Sequence, residues 1–157
     1  MDSKSSVGSN SLEEQIATMR KSLFVEEILN EQFNEWEMLE DDNDPNFVDT
    51  VASSYFSQTP TDIHAVEQIL YAIPVDPAKV ETILFKFKGA SSSFGANKVT
   101  IEINKMIDCL RRGDMEGCKA GLPILKQEFD TLKNKLGAYL KLLRQDKPSS
   151  SSTGANY

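Results

Sequence analysis

Lysines, serines and glycines, which bind phosphate groups in many proteins, are concentrated in the run FKFKGASSSFGANKV at residues 85–99. A Walker loop has four residues between its glycines and then Lys followed by Ser or Thr. Here Gly89 and Gly95 enclose five residues, and Ala96 follows. The spacing therefore does not support ATP binding. The three consecutive serines are instead expected to hydrogen-bond the backbone at the end of a helix, where such side chains compete well.

The acidic run EDDND at residues 40–44 could suggest a calcium site. An EF-hand loop beginning at Asp41 would need Gly at its sixth position and a bidentate acid at its twelfth. The chain has Asn46 and Ala52 at these positions. A solvated acidic loop is the prediction, and no metal or cofactor is expected.

Phe85 is the first residue of the run at residues 85–99, and it lies off the apolar face of its predicted helix. That face consists of apolar residues at helical spacing: Val80, Ile83, Leu84 and Phe87. Since each residue turns a helix by about 100°, Phe85 shares its side with charged, small or hydroxylated neighbours: Glu81, Lys88, Gly89 and Ser92. The pattern predicts an aromatic ring on a polar surface, with a glycine one turn on that leaves space for another molecule.

The segment VDPAKVETILFKFKGASSSFG at residues 75–95 resembles the signature of plant histidine-containing phosphotransfer proteins, the small helical carriers of two-component phosphorelays. That family's pattern is His-Gln-x-Lys-Gly-Ser-Ser-x-Ser-x-Gly, in which the His carries the phosphate. Without a gap, five residues match it: Lys88, Gly89, Ser91, Ser93 and Gly95. Phe85 occupies the His position and Lys86 the Gln position. The resemblance extends over roughly residues 12–145, including NEQFNEWEMLED and LKQEFDTLKNKL.

The residue at position 85 decides which chemistry the resemblance implies. Phosphoryl carriage by histidine requires a nucleophilic ring nitrogen, and phenylalanine has no lone pair. The chain therefore resembles the pseudo-phosphotransfer members of the family and is not expected to be an enzyme. Because Phe85 and Lys86 depart from the pattern together, natural divergence is favoured over an engineered substitution.

The resemblance implies that receiver domains of response regulators or hybrid histidine kinases dock around Phe85. Lys88 would lie near the receiver's acidic pocket, and Gly89 would let its loops approach. The predicted contact residues are Phe85, Lys86, Lys88, Gly89 and Ser92. A protein that binds receivers without accepting phosphate would act as a competitive negative regulator, and the resemblance implies cytokinin-type signalling in a plant.

Two other functions remain open at this point. The chain could be an active carrier that uses another residue, but the single His64 lacks the Lys-Gly-Ser context and is expected to be a surface residue. It could also be a helical interaction bundle whose docking face has drifted out of use, which the added charge of Lys86 favours. A separate alternative for Phe85 is that its ring folds back against Leu84 or the stem of Lys88 and contributes nothing to recognition.

Length and composition limit the class of protein. A chain of 157 residues fits one domain with its own core. The net charge is −7, with no basic stripe, so nucleic acid is not expected as a partner. No run is apolar enough for a membrane span, and the polar start predicts no signal peptide. The two cysteines are expected to be free thiols. A monomer in the cytoplasm and nucleus is expected.

Apolar periodicity predicts an all-α fold with six helices, in which two shorter N-terminal helices pack on an antiparallel four-helix bundle. The helical domain is predicted at residues 11–146, with disordered tails at 1–10 and 147–157. Pro60 and Pro123 are expected to bend their helices without dividing the domain.

Four helix starts carry cap signals. A second helix is predicted at about residues 30–40, with Trp36 as a packing anchor. The cap signals are the Ser11–Glu14 box, Asp44 with Pro45, Asp76 with Pro77, and Asp114.

Overall fold

The computed structural model describes residues 7–146, and for residues 7–10 the backbone alone. Within this range the chain forms six helices and no strand. The helices are α1 (Val7–Val25), α2 (Glu31–Leu39), α3 (Phe47–Leu70), α4 (Pro77–Phe94), α5 (Asn97–Arg111) and α6 (Met115–Asp146). Helices α3 to α6 pack as an antiparallel bundle, α1 lies on α6, and α2 lies on α3 and α4. The predicted fold class is confirmed.

Buried side chains from all six helices and the α1–α2 loop form one hydrophobic core. Helix α4 contributes Val80, Leu84 and Phe87, each with no exposed surface. Complete burial of a side chain the size of Phe87 contributes about 1.5–3 kcal/mol. The apolar face predicted for α4 is therefore the face that anchors it in the bundle.

The two ends of α4 are fixed by its own sequence. The Asp76 carboxylate accepts hydrogen bonds from the backbone N–H groups of Ala78 at 3.1 Å and Lys79 at 3.4 Å, which confirms the predicted cap. Gly95 ends the helix with a left-handed φ of 95°. A Cβ at this position would lie 2.5 Å from the backbone nitrogen of Phe33. Gly95 therefore permits both the turn and the close packing of α2.

The start of α1 differs from the prediction. The helix begins at Val7, so residues 7–10 are helical, and residues 1–6 of the predicted tail lie outside the described part of the chain. Ser11 does not cap the helix, because it lies inside α1, four residues after the start at Val7. Its hydroxyl accepts a hydrogen bond from Gln15 Nε2 one turn on, at 3.1 Å. As a result α1, with 19 residues, is longer than α5, with 15. The predicted tail at residues 147–157 also lies outside the described residues.

The predicted Asp44–Pro45 cap is wrong, because α3 begins at Phe47 and the Asn46 side chain makes no capping hydrogen bond. The preceding carboxylates compete for the available N–H groups. Asp41 accepts from the backbone of Asp44 at 3.0 Å, and Glu40 accepts from Val48 N in the first turn of α3 at 3.1 Å. The acidic loop is thus a turn that also supplies the cap.

The prolines inside α3 and α6 interrupt neither helix, since both helices are continuous through Pro60 and Pro123. At the other predicted cap, Asp114 accepts from Gly117 N at 2.8 Å. Helix α2 lies within its predicted range, and the Asn30 side chain, which was not predicted as a cap, accepts from Gln32 N. No helix in the described range has the length and apolarity to cross a bilayer.

Candidate functional site

Phe85 lies on the outer side of α4, as its position in the helical pattern predicts. Its side chain is 39% exposed, whereas Leu84 before it and Phe87 after it are completely buried. The ring is therefore not sealed in the bundle. The position that the family signature assigns to phosphate chemistry faces solvent.

Two cations lie beside the Phe85 ring. Lys88 Nζ, one turn along α4, is 5.6 Å from the ring centroid, and the guanidinium carbon of Arg111 is 4.9 Å from it. Arg111 is the last residue of α5 and is held over the ring by a salt bridge of 3.0 Å to Glu81. Both distances are within the range of cation–π attraction. The ring thus contacts Lys88, as one alternative suggested, but it remains partly exposed.

Sequence reasoning missed Arg111 because it belongs to another helix. A signal was nevertheless present. Glu81 and Arg111 stand equally far before and after Ala96, at the turn between α4 and α5. Residues equally distant from the turn of an antiparallel helix pair lie side by side, so an acid and a base at these positions indicate a pair.

The other predicted contact residues lie on α4 within two turns of Phe85. Lys86 and Ser92 are exposed, and Lys88 is half-buried. Gly89 is exposed, and a Cβ added there would meet no atom within 4 Å. The fold itself does not need glycine here, although glycine costs a helix interior about 1 kcal/mol relative to alanine. The surface at Gly89 therefore has open space beside the helix.

The serines of the signature behave differently from one another. Ser92 Oγ donates to the carbonyl of Gly89 at 3.4 Å, a long version of the predicted backbone bond. Ser91 is completely buried, and its hydroxyl lies 2.7 Å from that of Tyr55 on α3. The prediction that Ser91 bonds the backbone is wrong, because it lies on the apolar face where a buried hydroxyl needs a partner. Burial also raises the pKa of Tyr55 to about 12.

A cleft of about 380 Å³ runs between α2, α3 and α4. Its walls include Trp36, Val51, Tyr55, Ala90 and Phe94. The Trp36 indole N–H donates to the carbonyl of Ser93 at 2.8 Å, and its ring lies 5.9 Å from that of Phe47. Trp36 is thus the packing anchor that was predicted, and it also lines this cleft.

His64 lies away from the α4 site. It is exposed on α3 and lines a second cleft of about 370 Å³, together with residues of α6 such as Lys126 and Lys133. Cys109 and Cys118 are free, as predicted, and burial raises the pKa of the Cys118 thiol to about 11. The structure brings none of these three residues onto the outer side of α4.

Comparison with characterised sequences identifies relatives over most of the chain, although no family model matches it. Pseudo histidine-containing phosphotransfer protein 2 of Oryza sativa subsp. japonica is 37% identical over 140 residues, 88% of this chain and 92% of the relative. Pseudo histidine-containing phosphotransfer protein 5 of the same plant is 34% identical, over 90% and 93% of the two chains. Histidine-containing phosphotransfer protein 4 of Arabidopsis thaliana is 38% identical, over 72% and 89%.

Solved structures of plant phosphotransfer proteins share the fold. A histidine-containing phosphotransfer protein from Medicago truncatula superposes with a TM-score of 0.82 and 27% identity, over 90% of this chain and 96% of its own. One from maize gives a TM-score of 0.81 and 29% identity, over 87% and 99%. With the signature on α4, these findings show that the chain belongs to the plant histidine-containing phosphotransfer protein family of two-component phosphorelays, as a pseudo member in which Phe85 occupies the phospho-accepting position.

Proposed function

We propose that this protein binds receiver domains of response regulators or hybrid histidine kinases without accepting phosphate, and so acts as a competitive negative regulator of a phosphorelay. The observation that carries the proposal is the exposed Phe85 ring at the carrier position of a helix that keeps the Lys88 and Gly89 of the family signature. We place this role in plant cytokinin signalling, in the cytoplasm and nucleus.

The chemistry around Phe85 supports binding without transfer. Phenylalanine has no atom that can attack a phosphoryl group, and a covalent phosphoenzyme requires such a nucleophile. The cationic side chains over the ring are those of Lys88 and Arg111, whose charged groups are hydrogen-bond donors with no acceptor site. His64 is on α3, in the other cleft. We therefore expect no phosphorylated form of this protein during the relay.

The surface around Phe85 supports docking. Gly89 leaves open space one turn beyond the ring, and the half-buried Trp36 lines the cleft beside α4. Aromatic side chains near the centre of an interface often contribute most of its binding energy. Inhibition then requires only occupancy: the affinity and concentration of this protein must together match those of the true carrier.

The first test is binding of the purified protein to an isolated receiver domain by titration calorimetry. We expect a complex with a single site. Absence of binding would reject the proposal and leave the drifted helical bundle, the reading that the extra charge of Lys86 favours.

The second test uses a receiver carrying labelled phosphate together with a true carrier. We expect this protein to slow label transfer to the carrier while remaining unlabelled itself. Acid-labile label on this chain would instead identify it as an active carrier that uses another residue.

A further inference from the structure

We propose that the cations around Phe85 make this protein prefer receiver domains in their phosphorylated state. The group, called here the Phe85 cation cluster, consists of Lys86, Lys88 and Arg111. This inference deepens the proposed function and rests on it. It concerns which form of the receiver is held, and not whether a receiver is held.

The cluster concentrates positive charge on a chain whose net charge is −7. Two of its members lie against the Phe85 ring, with Arg111 at 4.9 Å and Lys88 at 5.6 Å from the centroid. The third, Lys86, is exposed one residue further along α4. The Arg111 side chain is 57% exposed, so its guanidinium is available to a partner.

The carboxylates around the cluster do not cancel its charge. Glu81 pairs with Arg111 at 3.0 Å, and Asp108 pairs with the neighbouring Arg112. Neither Lys86 nor Lys88 forms a salt bridge with a carboxylate in the described range. Three cations thus face one carboxylate, and the surface around the ring is positive.

Phosphorylation changes the partner in the way that such a surface can detect. A phosphoryl group adds negative charge and three strong acceptor oxygens, and charge-assisted hydrogen bonds from Lys or Arg are stronger than neutral ones. The receiver's phosphorylated aspartate would meet α4 at the position of Phe85. The ring offers no competing acceptor, and when covered by the receiver it would exclude water, which strengthens nearby charge interactions.

Because position 85 has no nucleophile, a phosphorylated receiver would keep its phosphoryl group while it is bound. A true carrier removes the phosphoryl group from the receiver that it binds, whereas Phe85 leaves it on the aspartate. The complex would therefore persist with the phosphate in place. The protein would hold and shield phosphorylated receivers, rather than compete for receivers of either state equally.

The test compares the affinity of the full chain for one isolated receiver domain with Mg²⁺, in the absence and presence of beryllofluoride, which mimics the aspartyl phosphate. Exposed charge pairs each contribute about 0.2–1 kcal/mol, so three cations predict a preference of about tenfold for the beryllofluoride form. The ratio is expected to fall as salt is raised, because salt screens exposed charges.

Variants assign the preference to the cluster. Arg111→Gln and Lys86→Gln are each expected to reduce the ratio of affinities by about two- to fivefold. Glu81→Gln is expected to increase it, since glutamine can still accept a hydrogen bond from Arg111 but carries no opposing charge. Lys141→Gln, on the exposed C-terminal part of α6, removes the same charge elsewhere and should leave the ratio unchanged. Helical circular dichroism checks that each variant is folded.

The possible outcomes separate this inference from the proposed function. Equal affinity for the two receiver forms overturns the inference and leaves the receiver-binding function intact. A preference that Lys141→Gln reduces as much as Arg111→Gln also overturns it, because net charge would then be the cause. No binding to either form rejects both.

Discussion

Two regions of the molecule each have some, but not all, of the residues that phosphate carriage requires. The outer side of α4 retains a lysine, an open glycine and a cleft, but has Phe85 where the reaction needs an imidazole. The α3–α6 cleft has the single imidazole, His64, beside Lys126 and Lys133, but none of the signature around it. Phosphate carriage requires the nucleophile and its surroundings at one place, and this chain has separated them.

The largest effect is expected from restoring the imidazole on α4. Phe85→His is expected to change phosphate acceptance from none to readily detectable, because the cations Lys88 and Arg111 favour a neutral, nucleophilic ring. The measurement is transfer of acid-labile label from a phosphorylated receiver. His64→Ala in the same background should not reduce the label. If Phe85→His still binds the receiver but remains unlabelled, Lys86 or Arg111 has made the site incompatible with transfer.

Filling the open space at Gly89 should separate docking from folding. Gly89→Gln is expected to weaken receiver binding by about tenfold or more, because a side chain there would meet the partner. Its melting temperature should stay equal or rise, since the change removes a helix glycine. Ala17→Gln, on the exposed side of α1, is the matched control and should leave binding unchanged. Equal binding by the two variants would mean that partners do not approach Gly89.

The buried side of α4 should show the reverse behaviour. Ser91→Ala leaves the Tyr55 hydroxyl without its buried partner and is expected to reduce the free energy of unfolding by about 1–3 kcal/mol. Receiver affinity should change little, because Ser91 has no exposed surface. Urea unfolding measures the loss. Adding Tyr55→Phe to Ser91→Ala should recover part of it, and a further loss of similar size would contradict the pairing.

Alkaline pH offers an independent measure of the same buried hydroxyl. Burial raises the pKa of Tyr55 to about 12 in the folded protein, above an unfolded value of about 10. Its contribution to stability is therefore complete below pH 10 and is lost as the pH rises from about 10 to 12. Unfolding in urea at several pH values should show a smaller decline for Tyr55→Phe than for the unchanged chain. Parallel declines would place the alkaline sensitivity elsewhere.

The smallest effect is expected from changing His64, in the cleft between α3 and α6. His64→Gln should change neither receiver affinity nor the labelling of the unchanged chain, because His64 lies between α3 and α6 and not on the docking side. Calorimetry with a receiver domain measures the first, and the labelling assay the second. A several-fold loss of affinity would extend the docking surface to this cleft and remove the distinction between the two regions.

The sequence predicted what is encoded locally. The Asp76 cap, the apolar face of α4 and the exposure of Phe85 all follow from spacing along one helix. Predictions failed where a local signal had a nearby competitor. The Asp44–Pro45 cap was overridden by carboxylates a few residues earlier.

Contacts between helices were the least predictable. Arg111 reaches Phe85 only because α4 and α5 form an antiparallel pair. The role of Ser91 depends on Tyr55, 36 residues away in sequence. Its spacing from Leu84 and Phe87 does place it on the buried face, so the need for a partner was predictable, although the partner was not.

The family motif includes a residue that the fold itself requires, because Gly95 lies against Phe33. Its last glycine joins three helices: Asn30 N donates to the Gly95 carbonyl at 3.1 Å, and any larger residue would collide with the α2 backbone. That requirement is architectural and does not depend on whether residue 85 is a histidine. Part of the motif can therefore be kept by the packing of the helices alone, whatever residue stands at position 85.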